Sequence, residues 1–295
     1  MIEVILDASQ LEVIEACPRK WYYDSIRNLT TLRTNPALTT GTFYHAVLQF
    51  YYSQPFPVTD HLKPTFEYAK LLANRGYEPE NESNRWPEVR ENKEFHLTRL
   101  RDYLIRWSHE DEAIRVVAVE KGFSYLLYED AEKRFILEGM IDLIYRHPQM
   151  GLVVRDHKTQ SRAYDKYPHC HQALNYLTAT GGDYFEYNYI GLQKAPSPAN
   201  FWHSQPFKPG PGVLDQWKRD VLRTFMEVYW IKRNELEVGT APLREDLYAR
   251  RKASCQTKFG MCQFHKICEV PETDPLYPNV FTAYKEKERR WKPWS

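Results

Sequence analysis

Three residues carry the sharpest chemical signal in the chain. Asp142 closes the run Gly139-Met-Ile-Asp142, and Asp156 and Lys158 lie in Val153-Val-Arg-Asp156-His-Lys158-Thr159. The intervening His147-Pro-Gln-Met-Gly151 reads as a turn, and position 149, midway between the aspartates, falls inside it. An antiparallel hairpin folded there sets the aspartates opposite one another, with facing Cβ atoms about 4.5–5.5 Å apart. Asp156 and Lys158 are two apart and share a face of their strand. Two adjacent acids repel, so one must hold a proton or a cation must lie between them. Mg²⁺ or Mn²⁺, bound through oxygen, removes the conflict. The lysine can then orient or activate an attacking water and stabilise charge developing on a phosphate. Asp-x-Lys alone is common by chance and suits an ordinary solvated hairpin face. The glycine-bearing strand, the turn and the apolar strand ending in Asp-x-Lys-Thr together are far more specific.

These residues need a sheet to hold them. Val116–Tyr128, Phe135–Tyr145 and Leu152–Lys158 are β-rich runs joined by short polar turns, and Tyr184–Leu192 and Asn200–Phe207 read as further strands. Helices are expected over about 41–52, 65–75, 88–109, 169–181 and 213–238, with residues 53–64 as a loop. Ser9 and Glu12 have capping-box spacing ahead of an N-terminal helix that Pro18 bends or splits. The expected architecture is α+β, with a central mixed sheet flanked by helices. It divides into an N-terminal helical region (1–110), a core (111–210) and a C-terminal helix with a cysteine-rich region (211–295).

Other residues could join the site. Gln172 and Tyr176, four apart, share one helical face, where the alternative is a plain amphipathic helix with Tyr176 in the core. His45, in Gly41-Thr-Phe-Tyr-His45, lies on an aromatic-rich helix, where a histidine is more often structural. Cys17 stands early, and Cys255, Cys262 and Cys268 cluster late. Four thiolates suit a 4Fe–4S cluster or tetrahedral zinc, and spacing alone does not choose. Closing so long a loop is worth a few kcal/mol on chain-entropy grounds. The N-terminal helix and the C-terminal tail show little obvious core of their own, so such a clamp could decide whether they fold. Cys170 is expected to be a non-ligand, and His265 an improbable substitute ligand.

The ordered set of motifs resembles the RecB-like branch of the PD-(D/E)xK nucleases, which includes CRISPR-associated exonucleases, AddB-type nuclease domains and phage proteins. The resemblance runs along most of the chain and implies a restriction-endonuclease-like core. It implies metal binding by His45, Asp142 and Asp156, catalysis by Asp142, Asp156 and Lys158, and support from Gln172 and Tyr176. A glutamate near the metal is frequent in such proteins; Glu120 occupies that place, with a surface role as the alternative. Cys17, Cys255, Cys262 and Cys268 match the arrangement of the iron–sulfur members, implying a 4Fe–4S cluster, although the gap from Cys255 to Cys262 is longer than usual. His157 stands where the family often has tyrosine and is expected to point away from the metal with little effect.

The resemblance further implies DNA as the substrate, cut exonucleolytically at single-stranded ends, with duplex ends as the alternative. The 40 basic and 39 acidic residues give a formal net charge of +1, so composition adds no support for a polyanionic partner. Local patches would have to supply affinity: Arg19 and Lys20 beside Trp21, and Arg250 to Lys252, could converge if the cysteines bring them together. Aromatics make up 15% of residues and are expected mainly in the core. No long apolar run or secretory leader is evident, and a reducing, cytoplasmic setting is expected, with the cysteines as ligands. The competing expectations are a non-catalytic DNA-binding or assembly protein on the same fold, and a zinc-stapled interaction module.

Overall fold

The computed structural model describes residues 1–32, 36–54, 58–75, 87–160, 170–193, 201–203, 206–238, 247–257, 260–270 and 274–287. The chain begins β1 (Ile2–Asp7), α1 (Ala8–Ala16), α2 (Pro18–Trp21), a π-helical turn over Tyr22–Ile26, and β2 (Leu29–Thr31). Helices α3 (Pro36–Ser53), α4 (Leu62–Arg75), α5 (Pro87–Glu91) and α6 (Lys93–Asp111) follow. Next come β3 (Arg115–Glu129), β4 (Lys133–His147), β5 (Gly151–Gln160), α7 (His171–Thr180), β6 (Tyr184–Gly191) and β7 (Phe201–His203). The remainder holds α8 (Val213–Val238), β8 (Gln256–Thr257), β9 (Gly260–Met261), α9 (His265–Glu269), α10 (Tyr277–Phe281) and β10 (Tyr284–Glu286). No helix among the described residues is long and apolar enough to cross a membrane.

Two compact units result. One joins Met1–Thr34, Phe123–Gly139 and Pro211–Ser295; the other joins Asn35–Gly122 and Met140–Gly210.

In the first unit β1 pairs in parallel with the start of β4, from Ile2 opposite Lys133 to Asp7 opposite Glu138. Sequence reading missed this strand. Its signal is the alternation of Ile2, Val4 and Leu6, of which Val4 and Leu6 are fully buried. The cap of α1 is Asp7, whose carboxylate accepts from the Gln10 amide at 2.8 Å, and not the expected Ser9. The Ser9 hydroxyl donates to that same carboxylate. Pro18 splits the helix as expected. Cys17 before it is extended, as a residue preceding proline prefers, and Pro18 opens α2, where its missing N–H costs nothing.

The expectation that the two ends lack a core is also corrected. Phe135 stacks on Phe225 at 5.2 Å, Tyr22 meets Tyr248 at 4.4 Å, and Phe264 lies between Tyr23 and Tyr284. Aromatic area buried in this way stabilises the unit without any metal group.

The second unit holds a mixed sheet. The end of β4 runs antiparallel to β5, β5 runs parallel to β6 through α7, and β6 runs antiparallel to β7. Strand β3 pairs with β4. Helix α3 packs on β5 and α7 on β6, so helices flank the sheet. A core of Phe43, Val47, Tyr51, Leu100, Tyr103, Leu143 and Val153, with neighbours, fixes α3 and α6 on the strands. Gly151 closes the β4–β5 turn at φ +81, and a Cβ there would strike the Asp183 carboxylate. That carboxylate instead accepts from the Leu152 amide. Gly181, at φ +64, ends α7 in the left-handed conformation.

Candidate metal centre and its lysine

The β4–β5 pairing turns at the expected place: His147 faces Gly151 and Leu143 faces Arg155. One step further along each strand lie Asp142 and Asp156. Beyond that last pair, the Asp142 carboxylate accepts from the His157 amide at 2.6 Å. A side chain thereby takes the place of the ladder.

Helix α3 brings His45 to this point. Its Nδ1 lies 3.4 Å from Asp142 Oδ1 and 3.6 Å from Glu120 Oε1. Among the described residues, His45, Glu120 and Asp142 are the group whose ligand atoms all lie within 4.8 Å of one another. Ligands cis to each other around an octahedral ion at about 2.1 Å stand about 3 Å apart. The spacing and the oxygen-rich donor set therefore fit a hard divalent cation with little adjustment.

Glu120 reaches the group at a conformational cost. It has φ +44, a left-handed backbone that glutamate rarely adopts. The alternation of exposure along β3 breaks there, with Ala118, Val119 and Glu120 all half-buried.

Asp156 turns to different partners. Its Oδ2 lies 2.5 Å from Lys158 Nζ, and its Oδ1 accepts from Gln172 Nε2 at 2.8 Å. The same Gln172 nitrogen lies 3.1 Å from the Tyr176 hydroxyl. Helix α7 thus presents Gln172 to the β5 carboxylate, with Tyr176 bound to Gln172. Asp142, Asp156, Lys158, His45, Gln172 and Tyr176 are brought together in one unit, and Glu120, an uncertain member in sequence, joins them.

Electrostatics follows from burial and charge. Burial pushes the Asp156 carboxyl up, Lys158 pulls it back and Asp142 raises it again, leaving it at about 6. Burial also acts upward on Asp142, but His45 and then His157 and Lys158 outweigh it and hold the group at about 2. For His45 burial opposes the charge, yet Asp142 and Glu120 prevail and raise it to about 10. Burial disfavours the Lys158 ammonium, whereas Asp156 and Asp142 keep it above the ordinary lysine value. The lysine is therefore a cation at neutral pH.

His157 lies with Arg155 on the face of β5 opposite Asp156, but it is closer to the site than expected. Its ring stacks on Tyr52 at 5.6 Å and stands edge-on to His45 at 6.4 Å, while its amide holds Asp142. It borders the site.

In the other unit, burial pushes the Cys262 thiol up, with Lys20 opposing and Cys17 and Cys255 adding to the shift. Cys268 is raised by burial against Arg250 and Arg19, with Cys17 and Cys255 again adding. Cys17 and Cys255 thus each act on both Cys262 and Cys268, and the Cys262 amide donates to the Cys255 carbonyl at 2.7 Å. The basic patch beside them is smaller than expected. Arg19 is buried and donates to the Tyr248 carbonyl, and Arg251 holds the Glu15 carbonyl and faces Glu227.

Paired aspartates, an imidazole, a glutamate and a cationic lysine around one point form a site suited to metal-assisted phosphodiester hydrolysis. A family model described as the PD-(D/E)XK nuclease superfamily matches residues 6–269, and the chain belongs to that superfamily. Membership implies a metal-dependent nuclease, a hydrolase with nucleic acid as substrate. A solved structure titled "Crystal structure of SSO0001" is 13% identical, with 75% of each chain covered and a TM-score of 0.34. So distant a likeness carries no argument. A search of curated proteins found no match.

Proposed function

We propose that the protein is a Mg²⁺- or Mn²⁺-dependent deoxyribonuclease of the RecB-like, iron–sulfur type, acting as an exonuclease on single-stranded DNA ends. The observation that carries the nuclease reading is the continuous arrangement of His45, Glu120 and Asp142 beside Asp156, Lys158 and Gln172. His45, Glu120 and Asp142 would hold the cation, with Asp156 able to join by releasing Lys158. When bound, the cation polarises the scissile phosphate and acidifies a ligated water. Lys158, already protonated, donates to the phosphate oxygens or to the attacking water and offsets the charge that develops there. Gln172 fixes the Asp156 carboxylate, and Tyr176 fixes Gln172. The exonuclease mode and the preference for single strands rest on resemblance alone.

Cys17, Cys255, Cys262 and Cys268 are proposed to hold a 4Fe–4S cluster, a reading that rests on the resemblance and on the action of Cys17 and Cys255 upon both Cys262 and Cys268. Its role is structural. End-labelled single- and double-stranded DNA, incubated with each metal, tests the activity: wild-type protein should shorten labelled strands and Lys158→Ala should not. Wild-type protein that leaves every substrate intact with both metals would end the enzyme reading. Iron and acid-labile sulfide in anaerobically purified protein test the cluster; zinc instead would refute it.

A further inference from the structure

The catalytic lysine has a second neighbour that the motif does not name. Lys158 Nζ lies 5.8 Å from the centroid of the Tyr187 ring, within the range of a cation–π contact. Tyr187 is almost fully buried in β6, where its partner in the parallel ladder is Asp156. Its hydroxyl lies 2.9 Å from the Cys170 sulfur. Cys170 is the N-cap residue of α7, and its carbonyl accepts from the Leu174 amide at 3.2 Å. Two positions into that helix, Gln172 binds Asp156, which binds Lys158. The contacts close a ring: Lys158, Asp156, Gln172, the first turn of α7, Cys170, Tyr187 and back to Lys158.

A lysine side chain has four rotatable bonds, so an ion pair alone fixes its distance to Asp156 but not its direction. An aromatic face on a second side restricts that direction. The face must itself be held, and the Cys170 thiol provides the hold from the helix that also carries Gln172.

We propose that Tyr187, oriented by Cys170, is a positioning residue that fixes the Lys158 ammonium beside Asp156. This rests on the nuclease reading for its consequence in catalysis, but the placement is measurable without activity.

Lys158 ε-methylene protons over an aromatic face resonate upfield of other lysines. In lysine-labelled protein, the signal assigned by Lys158→Arg should be shifted in wild type and in Tyr187→Phe, and should move to the ordinary lysine position in Tyr187→Leu. A signal that stays put in Tyr187→Leu overturns the placement, whatever the activity. In kinetics, Tyr187→Leu should lower kcat about tenfold with KM for DNA and the half-saturating Mg²⁺ concentration unchanged. Tyr187→Phe and Cys170→Ala should give equal, smaller losses, and Cys170→Ser, which keeps a hydrogen-bonding atom, should recover most of the activity. In a Lys158→Ala background, Tyr187→Leu should cause no further loss of residual activity. Additive losses there would mean that Tyr187 supports the fold and not the lysine. Wild-type protein that cleaves no DNA yet shows the shifted lysine would sink the nuclease reading alone.

Discussion

The second unit contains two groups of buried carboxylates, and they are resolved in opposite ways. Arg155 and Asp156 are neighbours in β5 and so point to opposite faces. On the Arg155 side, the guanidinium donates to Glu186 at 2.5 Å, to Asp111 at 3.2 Å and to the hydroxyls of Tyr52 and Tyr145. The tyrosines then complete the acids, Tyr52 on Asp111 at 3.0 Å and Tyr145 on Glu186 at 2.8 Å. On the other side, Asp142, Glu120 and Asp156 share a lysine, a histidine, one amide and one glutamine. The first group is a finished network whose members satisfy one another. Each group has one acid more than it has cations, but the first completes its acids with tyrosine hydroxyls, whereas the second gathers the ligand atoms of His45, Glu120 and Asp142 within 4.8 Å of one another, as a cation would use them. A structural network is built to be complete, whereas a catalytic one keeps room for a ligand.

This contrast can be broken most directly at Lys158 and Asp142. Lys158→Ala or Asp142→Asn should reduce DNA cleavage by about a thousandfold or more, with a urea midpoint near that of wild type. A collapse of the fold in either variant would mean that the site is structural after all. Arg155→Met should do the reverse in stability terms. Stranding Asp111 and Glu186 without their cation should cost about 3–5 kcal/mol in urea unfolding. Adding Asp111→Asn and Glu186→Gln to that variant should restore much of the loss, because no charge is then left buried.

A smaller effect is expected from Glu120→Gln, which should raise the half-saturating Mg²⁺ concentration about tenfold, as when a ligand is weakened. Mg²⁺ should also raise the wild-type melting temperature and leave that of Asp142→Asn unchanged. The smallest effect concerns a second histidine, one bonded to a tyrosine hydroxyl. His96 Nδ1 lies 3.0 Å from the Tyr44 hydroxyl, and burial holds the ring down to about 4 against its ordinary 6.5, with Glu88 opposing. The stability it confers is complete above pH 6.5 and is lost as pH falls through 4. His96→Gln should flatten that part of a stability-versus-pH curve.

Much of the site was legible in sequence because its geometry is local. A two-residue step puts Asp156 and Lys158 on one face, a four-residue step does so for Gln172 and Tyr176, and the turn around position 149 fixes the register of Asp142. The bounds of α8 emerge from periodicity alone. What escaped depends on partners distant in the chain. Strand β1 is short and earns its place only by pairing with β4, more than a hundred residues on. The ring of Tyr52 beneath His157 and the aromatic core that unites the chain ends are likewise non-local. Glu120 was reached through resemblance only, and its conformation escaped, since nothing in its neighbours announces a left-handed glutamate inside a strand.

That glutamate sets stability and function at odds. Glycine at 120 would relieve a backbone penalty of about 1–3 kcal/mol while discarding a carboxylate from the proposed cation site. Selection for heat resistance alone would drift toward Glu120→Gly and should yield a sturdier protein with a weaker grip on its ion. A hotter melting point coupled to poorer Mg²⁺ saturation would be the signature of a fold that spends rigidity on chemistry.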